Sequence, residues 1–121
     1  MTPFADILRR AVEDTPGALG GAFADRFGEL VDSFNNTYKP EDWALLTAHY
    51  GVVLRHLAAA FGTWHYGGPE FFIAEHDTLG VVVHTVHDGY YALIAMKSPA
   101  QIAAALQSLH RAAGQLRREM S

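Results

Sequence analysis

Between Glu41 and Trp64 the chain reads EDWALLTAHYGVVLRHLAAAFGTW, a helical segment with no polar face. On a helical wheel, Trp43, Leu46, Tyr50, Val53, Leu54, Leu57 and Phe61 form one broad apolar face, wide enough to cover a sheet. The opposite face holds Ala44, Leu45, Ala48, Val52 and Ala59, and only His49, Arg55 and His56 are strongly polar there. A helix that is hydrophobic all round needs burial on both sides. A chain of 121 residues has material for one core and little to spare for a second cover. The missing cover is therefore expected to be another chain.

Composition narrows the choice. Half the residues are hydrophobic and 18% are charged, which fits a folded domain and excludes a disordered tail. The net charge of −4 offers no basic footprint for nucleic acid, so no nucleic-acid partner is expected. There are no cysteines, which rules out disulfides and thiolate chemistry. No basic segment followed by an apolar run opens the chain, so no signal peptide is expected. Glu41, Asp42, His49, Arg55 and His56 interrupt the longest apolar stretch, so no membrane insertion is expected and the location is read as cytoplasmic.

The remaining elements follow from periodicity and turn residues. Thr2-Pro3 is a cap and first-turn pair, and Phe4, Ile7, Leu8, Ala11 and Val12 make one helical stripe. Thr15-Pro16-Gly17 stops that helix. Ala18 to Ala24 reads as a buried strand, Asp25-Arg26-Phe27-Gly28 as a turn, and Glu29 to Phe34 as the returning strand with Leu30, Asp32 and Phe34 on one face. After the middle helix come strands at Glu70–His76, Leu79–His87 and Tyr90–Lys97, with Asp88-Gly89 as the strongest hairpin signal. Ser98-Pro99 reads as the cap of a last, one-sided helix, with Gln107, Ser108 and Arg111 on its polar face.

Strands apolar on both faces, such as Val81–Val83, imply a sheet covered on both sides. The predicted fold is α/β in the α+β sense, a single three-layer domain over 1–121. Its order is helix-strand-strand-helix-strand-strand-strand-helix. The five strands form a mainly antiparallel sheet, with the terminal helices on one face and the middle helix on the other.

This ordered set resembles the roadblock family, the dynein light chains of roadblock type related to longin domains. The likeness rests on Pro16-Gly17-Ala18, Asp25-x-x-Gly28, Leu45-Leu46-Thr47-Ala48, Glu70-Phe71-Phe72-Ile73 and Ser98-Pro99, in order over almost the whole chain. The resemblance implies a homodimer in which middle helices pack together and third strands pair edge to edge. It implies no enzyme activity of the chain's own. Bacterial members scaffold or activate small Ras-like GTPases, acting as dimers that reposition the GTPase's own catalytic groups. On this reading the contact surface is Ala44, Ala48, His49, Val52, Arg55, His56 and Ala59 with the strand Glu70, Phe71, Phe72, Ile73 and Ala74. The partners are a second copy and a small Ras-like GTPase. Two other readings stand beside it: a structural scaffold subunit of a larger assembly without a GTPase, and a small-molecule sensor domain.

Chemistry inside the chain has weaker support. No Gly-x-Ser-x-Gly, Gly-x-x-x-x-Gly-Lys or Gly-x-Gly-x-x-Gly is present, so neither a nucleophile nor a nucleotide loop is expected. Seven histidines invite a metal hypothesis. His84 and His87, three apart on a strand, point to opposite faces. His49 and His56 lie two turns apart, and four such imidazoles across an antiparallel pair of helices could reach a zinc ion. Nothing in the sequence supplies the supporting hydrogen bonds a ligand needs, so they are read as rim histidines, and no metal or cofactor is expected. Glu70, Glu75, Asp77 and Asp88 read as solvated strand ends. Trp43 reads as core, whereas Trp64, His65 and Tyr66 either anchor a partner or close the end of the core.

Overall fold

Thr2 caps the first helix: its Oγ1 accepts from the Ala5 N–H at 3.0 Å, and Pro3 stands in the first turn. The computed structural model describes residues 2–62 and 65–121. Its elements are α1 (Pro3–Glu13), β1 (Ala18–Ala24), β2 (Leu30–Asn35), α2 (Pro40–Gly62), β3 (Phe71–Glu75), β4 (Leu79–His87), β5 (Tyr90–Lys97) and α3 (Ile102–Met120). The sheet order is β2-β1-β5-β4-β3 and every pairing is antiparallel. This is the predicted element order.

The strands bury both faces because both faces are apolar. On one side Phe23, Val82, Val86, Ile94 and Met96 pack against Ile7, Leu8, Leu109 and Leu116 of α1 and α3. On the other, Ala22, Ala24, Val81, Val83, Leu93 and Ala95 lie under Trp43 and Leu54 of α2. Two turns are fixed by their own chemistry. Asp25 Oδ1 accepts from the N–H groups of Phe27 and Glu29 at 2.9 and 3.0 Å while Gly28 takes φ +87. Asp88 and Gly89 both have positive φ, 54 and 84, as a two-residue hairpin turn requires.

Four expectations are corrected. Leu30, Asp32 and Phe34 do not share a face. The register shifts so that Ala24 faces Leu30 but Phe23 faces Asp32. The extra residue, Val31, is a bulge that sends Leu30 to the α2 side, while Phe34 packs on the α1 and α3 side. Second, Ser98 is not a helix cap. α3 begins at Ile102 after Gln101, three residues beyond Ser98, and the Ser98 N–H is taken by the Thr78 carbonyl at 3.2 Å. Ser108, assigned to the polar face of α3, is buried.

The fourth correction concerns α2. Val53 and Phe61 were expected to cover the sheet, yet they are 42% and 40% exposed. The residues that reach the sheet are Trp43, Thr47, Gly51 and Leu54, with Leu46 and Tyr50 beside them. Thr47 and Gly51 are small for a reason: Tyr91 of β5 rises between them. Its hydroxyl donates to the Thr47 carbonyl at 2.7 Å, and a Cβ placed on Gly51 would lie 2.4 Å from that oxygen. The helix therefore sits down on its smallest residues and turns larger ones outward. By length and by the hydropathy of its most apolar stretch, α2 is long and apolar enough to cross a bilayer. Its packing on the sheet, and His49, Arg55 and His56 midway along it, are those of a helix that covers a core.

Candidate interaction surface

Among the described residues, α2 and β3 carry much of the exposed apolar surface, with Phe27, Val31 and Tyr66 exposed elsewhere. Leu45, Val52, Val53 and Phe61 on α2 are 40% to 57% exposed, and His49, His56 and Ala59 stand exposed among them. β3 is the edge strand on the side opposite β2, pairing only with β4 among the described strands. Phe71 and Ile73 are exposed on it, on the α3 side of the sheet, since they pair with His84 and Val82. No proline, bulge or lysine blocks Phe71–Glu75, which is how natural sheets usually protect a free edge. The two parts adjoin. Tyr50 of α2 packs on Phe72 of β3 with ring centroids 6.3 Å apart, and its hydroxyl meets His76 Nε2 at 2.5 Å.

The predicted contact residues divide by where the structure puts them. His49, Val52, His56 and Ala59 are together on the outward face of α2, and Glu70, Phe71 and Ile73 are exposed at the strand. Ala44 is half-buried. Ala48 is also half-buried and lies over the β1–β2 turn, where a Cβ on Gly28 would come within 3.3 Å of its Cα. Phe72 and Ala74 face α2 from beneath. Arg55 is exposed but engaged: Nη1 donates to the Arg26 carbonyl at 3.1 Å, tying the helix to the β1–β2 turn. Val53 and Phe61, assigned to the sheet-facing side, are exposed, and Leu45, read on the outward face but not among the contact residues, is exposed as well. Their apolar character was visible, but the wheel cannot say how the helix is rotated on its sheet. Trp43 is core as expected, stacked on Tyr38 at 5.5 Å. His65 and Tyr66 are exposed and do not close the core; Trp64 lies outside the described residues.

The surface carries Leu45, Val52 and Val53 with His49 and His56 among them, and the one guanidinium beside them, Arg55, is turned to the Arg26 carbonyl. Such a patch suits another protein surface far better than a soluble substrate. Its geometry depends on Tyr91, which holds α2 to β5. Burial is the main cause pushing the Tyr91 phenol up to about 12, with Asp25 adding to the rise and Arg55 opposing it. A raised pKa means that the neutral phenol stabilises the fold. That contribution is fully present below the ordinary value of 10.0 and is lost as pH rises through about 12. Ultraviolet difference titration of the wild type against Tyr91→Phe is expected to show the missing phenolate only near pH 12. A difference that titrates at the value of free tyrosine would mean that α2 does not bury this hydroxyl.

The chain was compared with known proteins. No family model matches it, and no curated protein does. Among solved structures, Myxococcus xanthus MglB superposes with a TM-score of 0.87, covering 99% of this chain and 96% of that one at 12% identity. An MglB with a tetrameric arrangement gives 0.84, with 93% and 84% covered at 16% identity. A Roadblock/LC7 domain from Streptomyces avermitilis gives 0.83, with 94% of each chain covered at 13% identity. The chain has the roadblock fold. At these identities the likeness establishes architecture, in agreement with the resemblance read from the sequence.

Proposed function

We propose that this chain is a non-enzymatic, homodimeric adaptor of the cytoplasm that binds a small Ras-like GTPase and scaffolds or modulates its GTP cycle. The observation that carries the reading is the uncovered apolar face of α2 lying beside the unblocked edge of β3. A second copy covers both at once: two α2 helices pack across a twofold axis and two β3 edges pair into one continuous sheet. An isologous contact of this kind needs a self-complementary patch, and a largely apolar face with Arg55 tied back to the β1–β2 turn meets that need. The tetrameric arrangement of one MglB of the same fold supports self-association. The GTPase part rests on the family resemblance, whose bacterial members work on small Ras-like GTPases as dimers.

The test uses the purified chain against each small Ras-like GTPase of the source organism, loaded with GDP or with a non-hydrolysable GTP analogue. Binding to one of them that differs by at least about tenfold between nucleotide states, about 1.4 kcal/mol, is expected. Equal affinity for both states, or none for either, would remove the GTPase from the proposal. A stable dimer without any GTPase partner would leave a structural scaffold as the reading.

A further inference from the structure

On the sheet face opposite α2, one histidine stands where the strand pattern calls for a valine. His84 of β4 is 2% exposed, between Val82 and Val86 on the side covered by α3. Its Nδ1 lies 2.7 Å from the Thr85 carbonyl and its Nε2 lies 3.0 Å from Nδ1 of His110 on α3. Glu70, the residue before β3, is anchored alongside: its carbonyl accepts from both the N–H and the hydroxyl of Thr85 at 2.9 Å. The ligand atoms of Glu70, His84 and His110 all lie within 4.8 Å of one another. Phe71 stacks on the His84 ring at 6.1 Å. A cleft of about 520 Å³, lined by Glu70, Phe71, Leu106, Gln107 and His110, opens onto the group.

We propose that Glu70, His84 and His110 form a zinc site, with two imidazoles and one carboxylate as ligands and a fourth position open to the cleft. Three features support it beyond a histidine–histidine hydrogen bond. A carbonyl can only accept, so Thr85 fixes the Nδ1–H tautomer of His84 and leaves the Nε2 lone pair facing the cluster; this backbone support is what ligating histidines usually have. Two nitrogens bound to tetrahedral zinc at 2.0–2.1 Å stand about 3.3 Å apart. The pair at 3.0 Å therefore needs to open by only a few tenths of an ångström. The third group is a carboxylate on an exposed residue, free to swing toward the cation. Two imidazoles with one carboxylate favour zinc over magnesium or calcium, which prefer oxygen ligands throughout. Zinc there would tie the start of β3 to α3. The cluster lies across the sheet from α2 and shares only Glu70 and Phe71 with the proposed contact; the α2 face takes no part in it, so its failure would leave the dimer reading intact.

The test uses untagged full-length protein freed of metal by chelator dialysis. It is titrated with zinc in a calorimeter and, separately, with cobalt(II) followed by visible absorption. One zinc per chain is expected, with a dissociation constant of about micromolar or tighter. Cobalt should give the intense visible bands of a tetrahedral ion. His110→Ala, at an exposed position, is expected to weaken zinc at least about 100-fold and remove the bands, and Glu70→Gln to weaken it about tenfold. His56→Ala, on α2, should change neither. If His110→Ala alters the circular dichroism, Glu70→Gln decides. No binding at about 100 µM zinc, or binding unchanged by both cluster substitutions, would overturn the site.

Discussion

Gly51→Ala is expected to lower the unfolding free energy by about 2 kcal/mol, although alanine is the better helix former. Two effects oppose each other. Replacing glycine by alanine within a helix gains about 1 kcal/mol in propensity. Forcing a methyl group into a filled contact costs about 1–3 kcal/mol. The added Cβ would lie 2.4 Å from the Tyr91 hydroxyl and 3.0 Å from its ring carbon Cζ. The hydroxyl cannot move aside, because it is bonded to the Thr47 carbonyl at 2.7 Å and the side chain is fully buried. Overpacking therefore reaches the top of its range and outweighs the propensity gain. Tyr91→Phe alone loses one hydrogen bond, about 1 kcal/mol. Combined with Gly51→Ala it removes the closest clash, so the double variant should be less destabilised than the sum of the two. Urea unfolding of the four proteins measures this. If Gly51→Ala is as stable as the wild type, α2 does not approach β5 as described.

Val52→Asp is expected to convert the proposed dimer to monomer, raising the dissociation constant by at least about 100-fold, or about 2.7 kcal/mol. Val52 is 41% exposed on the outward face of α2, so a carboxylate there is tolerated by the isolated chain. In a twofold contact it enters twice, and each buried unpaired charge costs several kcal/mol. Sedimentation across a dilution series, with circular dichroism to confirm the fold, reads the effect. A variant that dimerises as tightly as the wild type would exclude this face as the contact and redirect attention to the β3 edge. Ala48 is a poorer probe, because it lies over the β1–β2 turn, where an added charge would strain the protomer itself.

The two variants address linked parts of one device. Tyr91, Thr47 and Gly51 decide how deeply α2 settles on the sheet, and that depth decides which side chains it offers outward. Gly51→Ala should therefore loosen self-association as well as the fold, whereas Val52→Asp should affect association alone.

What the sequence determined by itself was whatever depends on neighbours along the chain. The helical stripe after Thr2, the Asp25 turn, the Asp88-Gly89 hairpin and the valine-rich β4 are local patterns, and their elements stand where those patterns end. The lack of a polar face on α2 was likewise legible, and from it the need for a cover. What only the tertiary structure decided was rotation, register and convergence. The wheel of α2 is apolar in every direction, so hydropathy could not say that Thr47 and Gly51 face the sheet while Val53 turns to solvent, nor that Phe61, one heptad after the buried Leu54, lies on an end of the helix that the sheet does not cover. The Val31 bulge depends on pairing with β1, where one unmatched residue reverses the face of Leu30. Glu70, His84 and His110 come from a loop, a strand and a helix, and no spacing along the chain announces that their ligand atoms meet within 4.8 Å. Periodicity is set by backbone geometry over a few residues, whereas these contacts are set by how whole elements pack, and the second kind of information exists only once the chain has folded.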